Sequence, residues 1–136
     1  VMYAYVEDEN GQTIKYDIGN AIKAYEEVIK GMRLAVLKGT CKGADIPGYE
    51  VCGKTGTAQN KGDDHSVFLG FAPMKNPKIA ISVYVENGGF GASYAAPLAS
   101  LLTEMYLNKE ISDKRKPLED RMKNSNLLHK VKVKKK

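Results

Sequence analysis

The chain has 136 residues, 43% of them hydrophobic, which is enough for one compact domain with a modest core. It contains no apolar run of about 18 residues, so it offers no segment that spans a membrane as it stands. The net charge of +5 is uneven, because residues 109–136 carry 11 Lys or Arg against 4 Asp or Glu, whereas the other 108 residues carry 10 against 12. The basic character belongs to the C-terminal tail, which argues against a nucleic-acid-binding core.

The first predicted elements are a β-hairpin and a helix. Residues 1–7 and 12–17 favour strands, and the Asp-Glu-Asn-Gly segment between them has the chemistry of a turn. From residue 20 the apolar side chains recur every three or four positions, as on one face of a helix. These side chains are Ile22, Tyr25, Ile29, Met32 and Val36. A glycine at position 39 can end the helix, which we expect to pack on a sheet.

Three strand-like runs and a second helix follow. The runs cover residues 49–58, 66–72 and 78–86, and the segments between them are short enough for antiparallel hairpins. A glycine-rich turn at 87–91 precedes a helical pattern at 94–107. The sequence therefore predicts an α+β fold, in which an N-terminal hairpin precedes an antiparallel three-strand meander flanked by helices.

The polar, lysine-rich segment 109–136 predicts a solvated, disordered tail that follows a domain at 1–108. Attraction of this tail to anionic lipid or to another acidic surface is the alternative, and the sequence leaves it open. Cys41 and Cys52 lack the spacing of a zinc or thioredoxin-like motif, so two free thiols are favoured over a disulfide. We expect no metal and no cofactor.

The first of the three strand-like runs, residues 49–58, contains Lys54, Thr55, Gly56 and Thr57 in succession. Thr55 and Thr57 have the same parity along a strand, so their hydroxyls lie on one face. A glycine inside a strand often marks a place where another backbone approaches closely. Two hydroxyls, a cation and a strand edge suit a ligand with a carboxylate and a peptide-like backbone.

The context of this motif resembles the last part of the transpeptidase domain of class B penicillin-binding proteins, particularly the penicillin-binding protein 2-like group. Four ordered stretches within residues 28–107 carry the resemblance. They are Gly31-Met32-Arg33 with Gly39-Thr40; residues 53–59, Gly-Lys-Thr-Gly-Thr-Ala-Gln; His65 with Phe68-Leu69-Gly70-Phe71-Ala72-Pro73; and Val85-Glu86-Asn87-Gly88-Gly89 leading into Ala95-Ala96-Pro97. The resemblance implies a partial penicillin-binding transpeptidase/β-lactamase-like fold.

Members of this family use three motifs, Ser-x-x-Lys with the nucleophile, Ser-x-Asn or a Tyr variant, and Lys-Thr-Gly. Only the third is present here, because no Ser or Thr is followed by Lys at the third position beyond it and no Ser-x-Asn occurs. Tyr106-Leu107-Asn108 fits a Tyr-x-Asn string but lies at the end of the last predicted helix. The family order places both motifs upstream of Val1, so we expect this chain to be part of a longer polypeptide and inactive alone.

The resemblance also implies residue roles. Lys54 supports proton transfer in the cleft, and the Thr57 backbone N–H forms half of an oxyanion hole. Thr55 and Thr57 hydroxyls bind the carboxylate of a terminal D-alanine or of a β-lactam, and Gly56 lets the acyl group lie against the strand. His65 is weighed as a general base, but a structural role is favoured because the family does not use a histidine triad.

The function implied is that of a peptidoglycan DD-transpeptidase working by serine acyl-enzyme chemistry. The alternatives are a serine β-lactamase or β-lactam sensor domain, or a non-catalytic scaffold module. The expected partners are a peptidoglycan stem peptide, β-lactams and cell-wall elongation proteins, with no nucleic acid. The parent is expected to be anchored in the bacterial inner membrane and to face the periplasm. The edge of the strand at 78–86 is expected to be exposed and to allow self-association.

Overall fold

The computed structural model describes residues 3–128, with Asn20 described by its backbone alone. These residues form two compact units that divide after Gly31. The secondary structure of the first unit is an antiparallel hairpin of β1 (Tyr3–Glu7) and β2 (Thr13–Asp17), followed by the start of helix α1 (Gly19–Leu37). The predicted hairpin and first helix are therefore confirmed.

The hairpin turn is held by a local network around one carboxylate. Asp8 Oδ1 accepts the backbone N–H groups of Asn10, at 2.9 Å, and of Gln12, at 2.8 Å. Gly11 has a φ of +74°, a conformation that costs glycine little. In α1 the predicted apolar face is incomplete, since the Tyr25 side chain is 68% exposed.

The second unit is built on a three-strand antiparallel sheet in the order β3-β4-β5. Its strands are β3 (Cys52–Ala58), β4 (His65–Ala72) and β5 (Ile79–Val85), and helix α2 (Ala95–Asn108) packs on β4 and β5. A short 3-10 turn at Lys42–Ala44 lies between α1 and β3. The predicted α+β fold, with its meander and flanking helices, is confirmed.

Alternation along β4 separates the two faces of this sheet. Ser66, Phe68, Gly70 and Ala72 are buried, and we call the face that they share the inner face. The packing is close because small side chains of α2 and the segment after α1 approach the sheet. The buried core consists of Val36, Cys41, Ala44, Ile46, Val51, Phe68, Ala72, Ala95, Ala96 and Ala99.

The C-terminal region contains secondary structure that its composition did not predict. A 3-10 turn at Asp113–Arg115 leads into helix α3 (Lys116–Lys123), and Ile111 is buried. Residues up to 123 thus include helix where we expected a disordered tail, whereas residues 129–136 lie outside the described residues. The boundary at residue 108 stays a prediction. Between residues 3 and 128, no helix has the length and apolar character needed to cross a bilayer.

Arg115 explains why this region is ordered. Its Nε lies 2.9 Å from Glu104 Oε2, and both side chains are nearly buried, at 11% and 4% exposed. The guanidinium also donates to the carbonyl of Asp45, at 2.6 Å, and to Ser100 Oγ. The other oxygen of Glu104 accepts the Ser112 hydroxyl at 2.8 Å. One arginine therefore joins the chain after α2 to α2 itself and to the segment that precedes β3.

Replacing Arg115 by Met should destabilise the chain by about 3–5 kcal/mol, because it leaves the Glu104 carboxylate buried without its counter-charge. Urea unfolding followed by circular dichroism measures the loss. Adding Glu104→Leu to Arg115→Met should recover part of the stability, since no buried charge then remains.

Lys116→Met is the matched control. Lys116 pairs with Asp113 at 3.1 Å, but the two side chains are 59% and 94% exposed, so the solvent screens the pair. The variant should have a far smaller effect than Arg115→Met. Similar losses for the two variants would contradict the role given to the buried pair.

Candidate functional site

The predicted motif lies on β3, which is an edge strand among the described residues. β3 pairs with β4 alone there, with Thr55 opposite Phe68 and Thr57 opposite Ser66. The Thr55 backbone N–H donates to Cys41 Sγ at 3.1 Å, so it points away from β4. Because backbone groups alternate in direction along an antiparallel strand, the N–H of Thr57 points the same way. We call this side of the strand the open edge of β3.

The hydroxyl and the backbone N–H of Thr55 are each held by a residue that follows α1. Its Oγ1 lies 2.8 Å from Oγ1 of Thr40, and either hydroxyl can be the donor. Its amide is held by Cys41, which is buried. Thr40 and Cys41 immediately follow the turn that ends α1, so the end of this helix positions the middle of the motif.

Lys54 brings a cation to the open edge. Its side chain is exposed, and its Nζ donates to the backbone carbonyl of Thr55 at 2.6 Å. The strand register places Lys54 opposite Leu69, on the outer face, while Thr55 and Thr57 lie on the inner face. This register agrees with the prediction that the two threonines share one face. The Lys54 side chain bends around the strand, so that its Nζ reaches the Thr55 carbonyl at the edge.

The two glycines of the motif have different surroundings. A Cβ built on Gly53 would lie 2.3 Å from Cζ of Phe68, so the fold itself requires glycine there. A Cβ built on Gly56 would lie 3.4 Å from Cβ of Val67, which is an ordinary contact. The described residues therefore give no packing reason for glycine at position 56.

The glycine-rich turn contacts the same strand. A Cβ on Gly91 would lie 2.4 Å from the carbonyl oxygen of Val67 and 2.6 Å from that of Gly56. Ser66, which is fully buried, donates to the Phe90 carbonyl at 2.8 Å and accepts the Ala95 N–H at 3.0 Å. This hydroxyl joins β4 to the turn and to the first residue of α2, and it fixes the turn against the motif.

His65 has structural partners. Its Nδ1 accepts the backbone N–H of Asn87 at 3.0 Å, and its ring lies 5.2 Å from that of Tyr84. Asn87 has a φ of 55° at the start of the glycine-rich turn. These contacts agree with the structural role favoured from the sequence. Asp64 also supports the turn, because its carbonyl accepts the N–H of Gly89 at 2.7 Å.

Both cysteines are free thiols and both are buried. Burial raises the pKa of the Cys52 thiol above its usual value of 9.0, although the Arg33 guanidinium acts in the opposite direction. Cys52 therefore stays protonated at neutral pH and is a poor nucleophile. Its Sγ lies 3.9 Å from the Glu50 carbonyl oxygen, to which the thiol can donate.

Thr40 and Cys41 are the residues that sequence reasoning missed at this site. From the sequence, Thr40 contributes only to the family resemblance, and Cys41 is predicted only to be a free thiol. The one local signal was their place directly after the glycine that ends α1. Their contact with Thr55 joins positions 14 and 15 residues apart, which no local pattern encodes.

Comparison with known proteins places the chain in a family. Residues 7–104, well over half of the chain, match the family described as the penicillin binding protein transpeptidase domain. Peptidoglycan D,D-transpeptidase MrdA of Haemophilus influenzae is 38% identical over 79 residues, which are 46% of this chain and 12% of that protein. The chain thus spans about an eighth of this curated relative.

Two solved structures agree with this match. Pseudomonas aeruginosa PBP2 in complex with WCK 5153 aligns with a TM-score of 0.56 at 32% identity, covering 76% of this chain and 23% of that one. The ceftriaxone acyl-enzyme complex of penicillin-binding protein A from Mycobacterium tuberculosis aligns with a TM-score of 0.58 at 26% identity, covering 74% and 26%. The class B, penicillin-binding protein 2-like resemblance is confirmed, and the chain belongs to the penicillin-binding protein transpeptidase domain family, of which it holds a part.

Proposed function

We propose that this chain supplies the Lys-Thr-Gly-Thr side of the active-site cleft of a peptidoglycan D,D-transpeptidase. The observation that carries the proposal is the open edge of β3, along which the Lys54 ammonium, the Thr55 carbonyl and the Thr57 N–H occur in succession. The serine nucleophile lies outside these 136 residues, since no Ser-x-x-Lys occurs in them. Catalysis requires the longer polypeptide.

Thr57 acts through its backbone. Its N–H points to the open edge, where it can donate to the carbonyl oxygen of an acyl group while negative charge develops on that oxygen. The second donor of such an oxyanion hole is the N–H of the nucleophilic serine. A single donor of this kind contributes about 100- to 1000-fold in rate.

Lys54 acts through charge. Its ammonium lies at the open edge and supports proton transfer between the missing motifs and the leaving group. Because the side chain is exposed and bonded only to a backbone carbonyl among the described residues, it is free to exchange that contact for one with a substrate or with an upstream motif.

Thr55 and Thr57 bind the carboxylate of the ligand through their hydroxyls, which the register places on one face of β3. Gly56 keeps the strand surface free of a side chain, so that the acyl group can approach the backbone. The substrate is a stem peptide that ends in D-alanine, and β-lactams are its analogues. The ceftriaxone acyl-enzyme complex among the structural neighbours supports the proposal that β-lactams bind at this site.

A transpeptidase is preferred over a β-lactamase, a sensor or a scaffold because the relative from Haemophilus influenzae described above is named a peptidoglycan D,D-transpeptidase. We further propose, on the family relationship alone, that the parent protein is anchored in the inner membrane, faces the periplasm and works with cell-wall elongation proteins. Labelling of intact cells with a penicillin that stays outside the inner membrane would test this location.

The full-length polypeptide that contains this chain should form a covalent adduct with a fluorescent penicillin, and the 136-residue chain alone should form none. In the full-length protein, Lys54→Ala should slow labelling by about 100-fold or more. Lys61→Ala removes an exposed lysine of the β3–β4 loop and should label normally. An adduct on the isolated chain, or a reading frame without an upstream Ser-x-x-Lys, would refute the proposal.

The two glycines of the motif should separate stability from function. Gly53→Ala forces a Cβ into the Phe68 ring and should destabilise the chain by about 1–3 kcal/mol. Gly56→Ala should leave thermal unfolding nearly unchanged but slow labelling of the full-length protein at least tenfold, because the new methyl group meets the ligand. Normal labelling of a stable Gly56→Ala variant would remove the role given to Gly56.

The isolated chain should self-associate through β5, which pairs with β4 alone among residues 3–128. Sedimentation velocity at increasing concentration measures this. Ser82→Lys puts a charge on the edge strand and should reduce association, whereas Ser93→Lys, at an exposed position outside the strands, should not. A strictly monomeric chain at high concentration would count against the exposed edge.

A further inference from the structure

Cys41 occupies the place of a neighbouring strand at the open edge of β3. Its Sγ accepts the Thr55 N–H at 3.1 Å and lies 3.5 Å from the carbonyl oxygen of Gly53, to which its S–H can donate. An adjacent β-strand would use the same two backbone groups. With these two groups taken by a buried thiol, strand-like pairing on this edge is blocked at the Gly53 carbonyl and the Thr55 N–H, and the next backbone donor along the edge is the Thr57 N–H.

The end of α1 fixes Cys41 in this place. The Cys41 N–H donates to the Ala35 carbonyl at 3.0 Å, and the Gly39 N–H donates to the same oxygen at 3.1 Å. A Cβ on Gly39 would lie 2.9 Å from the Ala35 Cα, so the turn leaves no room for a side chain. The thiol is therefore held from the helix side, and it in turn holds the strand.

Thr40 acts on the Thr55 hydroxyl. Each hydroxyl has one proton, so when Thr40 donates across the 2.8 Å contact, the proton of Thr55 is directed elsewhere. It can then be donated to a carboxylate. Hydroxyls linked in this way polarise one another, which strengthens the donor at the end of the chain.

We propose that Thr40 and Cys41 are positioning residues of the transpeptidase site. Cys41 closes the open edge of β3 at Thr55 and so sets the register in which an extended acyl ligand pairs, with its carbonyl at Thr57. Thr40 orients the Thr55 hydroxyl as a donor to the ligand carboxylate. The assignment rests on the function proposed above and extends it to two residues that contact the site strand from α1.

Cys52 provides a matched comparison within the chain. It is as fully buried as Cys41, but its Sγ contacts the Glu50 carbonyl, at 3.9 Å, instead of the Thr55 amide. If Cys41 only filled space, replacing either thiol by alanine would have the same consequences. If Cys41 positions the edge, only the Cys41 variant should weaken the protection of the Thr55 amide against hydrogen exchange.

The first experiment uses the 136-residue chain and needs no enzymatic activity. Amide hydrogen exchange measured by NMR should show that Cys41→Ala speeds exchange of the Thr55 amide by about tenfold or more relative to amides in the centre of β4. Cys52→Ala should change the exchange rates of the Thr55 amide and of the β4 amides by the same factor. Cys41→Ser should protect the Thr55 amide better than Cys41→Ala does. Unchanged relative protection at Thr55 in Cys41→Ala would overturn the edge-closing role, whatever the function of the parent.

The second experiment measures acylation of the full-length protein by benzylpenicillin and by its methyl ester, which lacks the carboxylate charge. Thr40→Val should slow reaction with benzylpenicillin by about 10- to 100-fold, as expected for weakening a hydrogen bond to a charged group. Thr40→Val should leave the rate of reaction with the methyl ester within about twofold of that of the unmodified protein. The ratio of the benzylpenicillin rate to the ester rate therefore falls. Cys52→Ala should leave this ratio unchanged.

The outcomes are distinguishable. If the unmodified full-length protein is not acylated, the proposed function fails, while the exchange experiment still decides the role of Cys41. If the protein is acylated and Thr40→Val slows both ligands equally or neither, Thr40 has no role in carboxylate recognition. If Cys41→Ala and Cys52→Ala have equal effects on acylation at equal folded fraction, Cys41 has no role beyond packing.

Discussion

The antiparallel ladder between β3 and β4 is the interaction on which the candidate site depends. Its register decides that Thr55 and Thr57 share the inner face and that their backbone groups point to the open edge. A shift of one residue would exchange both assignments at once. The Phe68 ring packed against Gly53 opposes such a shift, because another residue at position 53 would collide with it.

Three separate parts of the chain meet this ladder. The end of α1 reaches it through Thr40 and Cys41, and the glycine-rich turn contacts it through Gly91. The buried hydroxyl of Ser66 then connects the turn to α2. The motif is therefore supported on its edge, on its face and through its partner strand, which is the kind of support that holds site groups in place.

The elements and the motif could be predicted from the sequence, because apolar periodicity and turn residues are local signals. Thr55 and Thr57 on one face follow from parity alone. The contacts of Cys41 and Arg115 could not be predicted in this way, since each joins residues far apart in the chain. Arg115 belongs to a run of charges that is typical of a solvated tail, but Glu104 gives this one residue a buried counter-charge.

Lys54 has a consequence for solubility as well as for chemistry. An edge that accepts an extended ligand, as proposed for β3, also accepts an extended strand from another molecule, and unprotected edges of this kind lead to aggregation. The Lys54 ammonium, bonded to the Thr55 carbonyl, places a charge at that position and occupies an acceptor that an incoming strand would need. In the proposed function the same side chain makes the edge selective, since it disfavours a neutral neighbouring strand and favours a short anionic peptide.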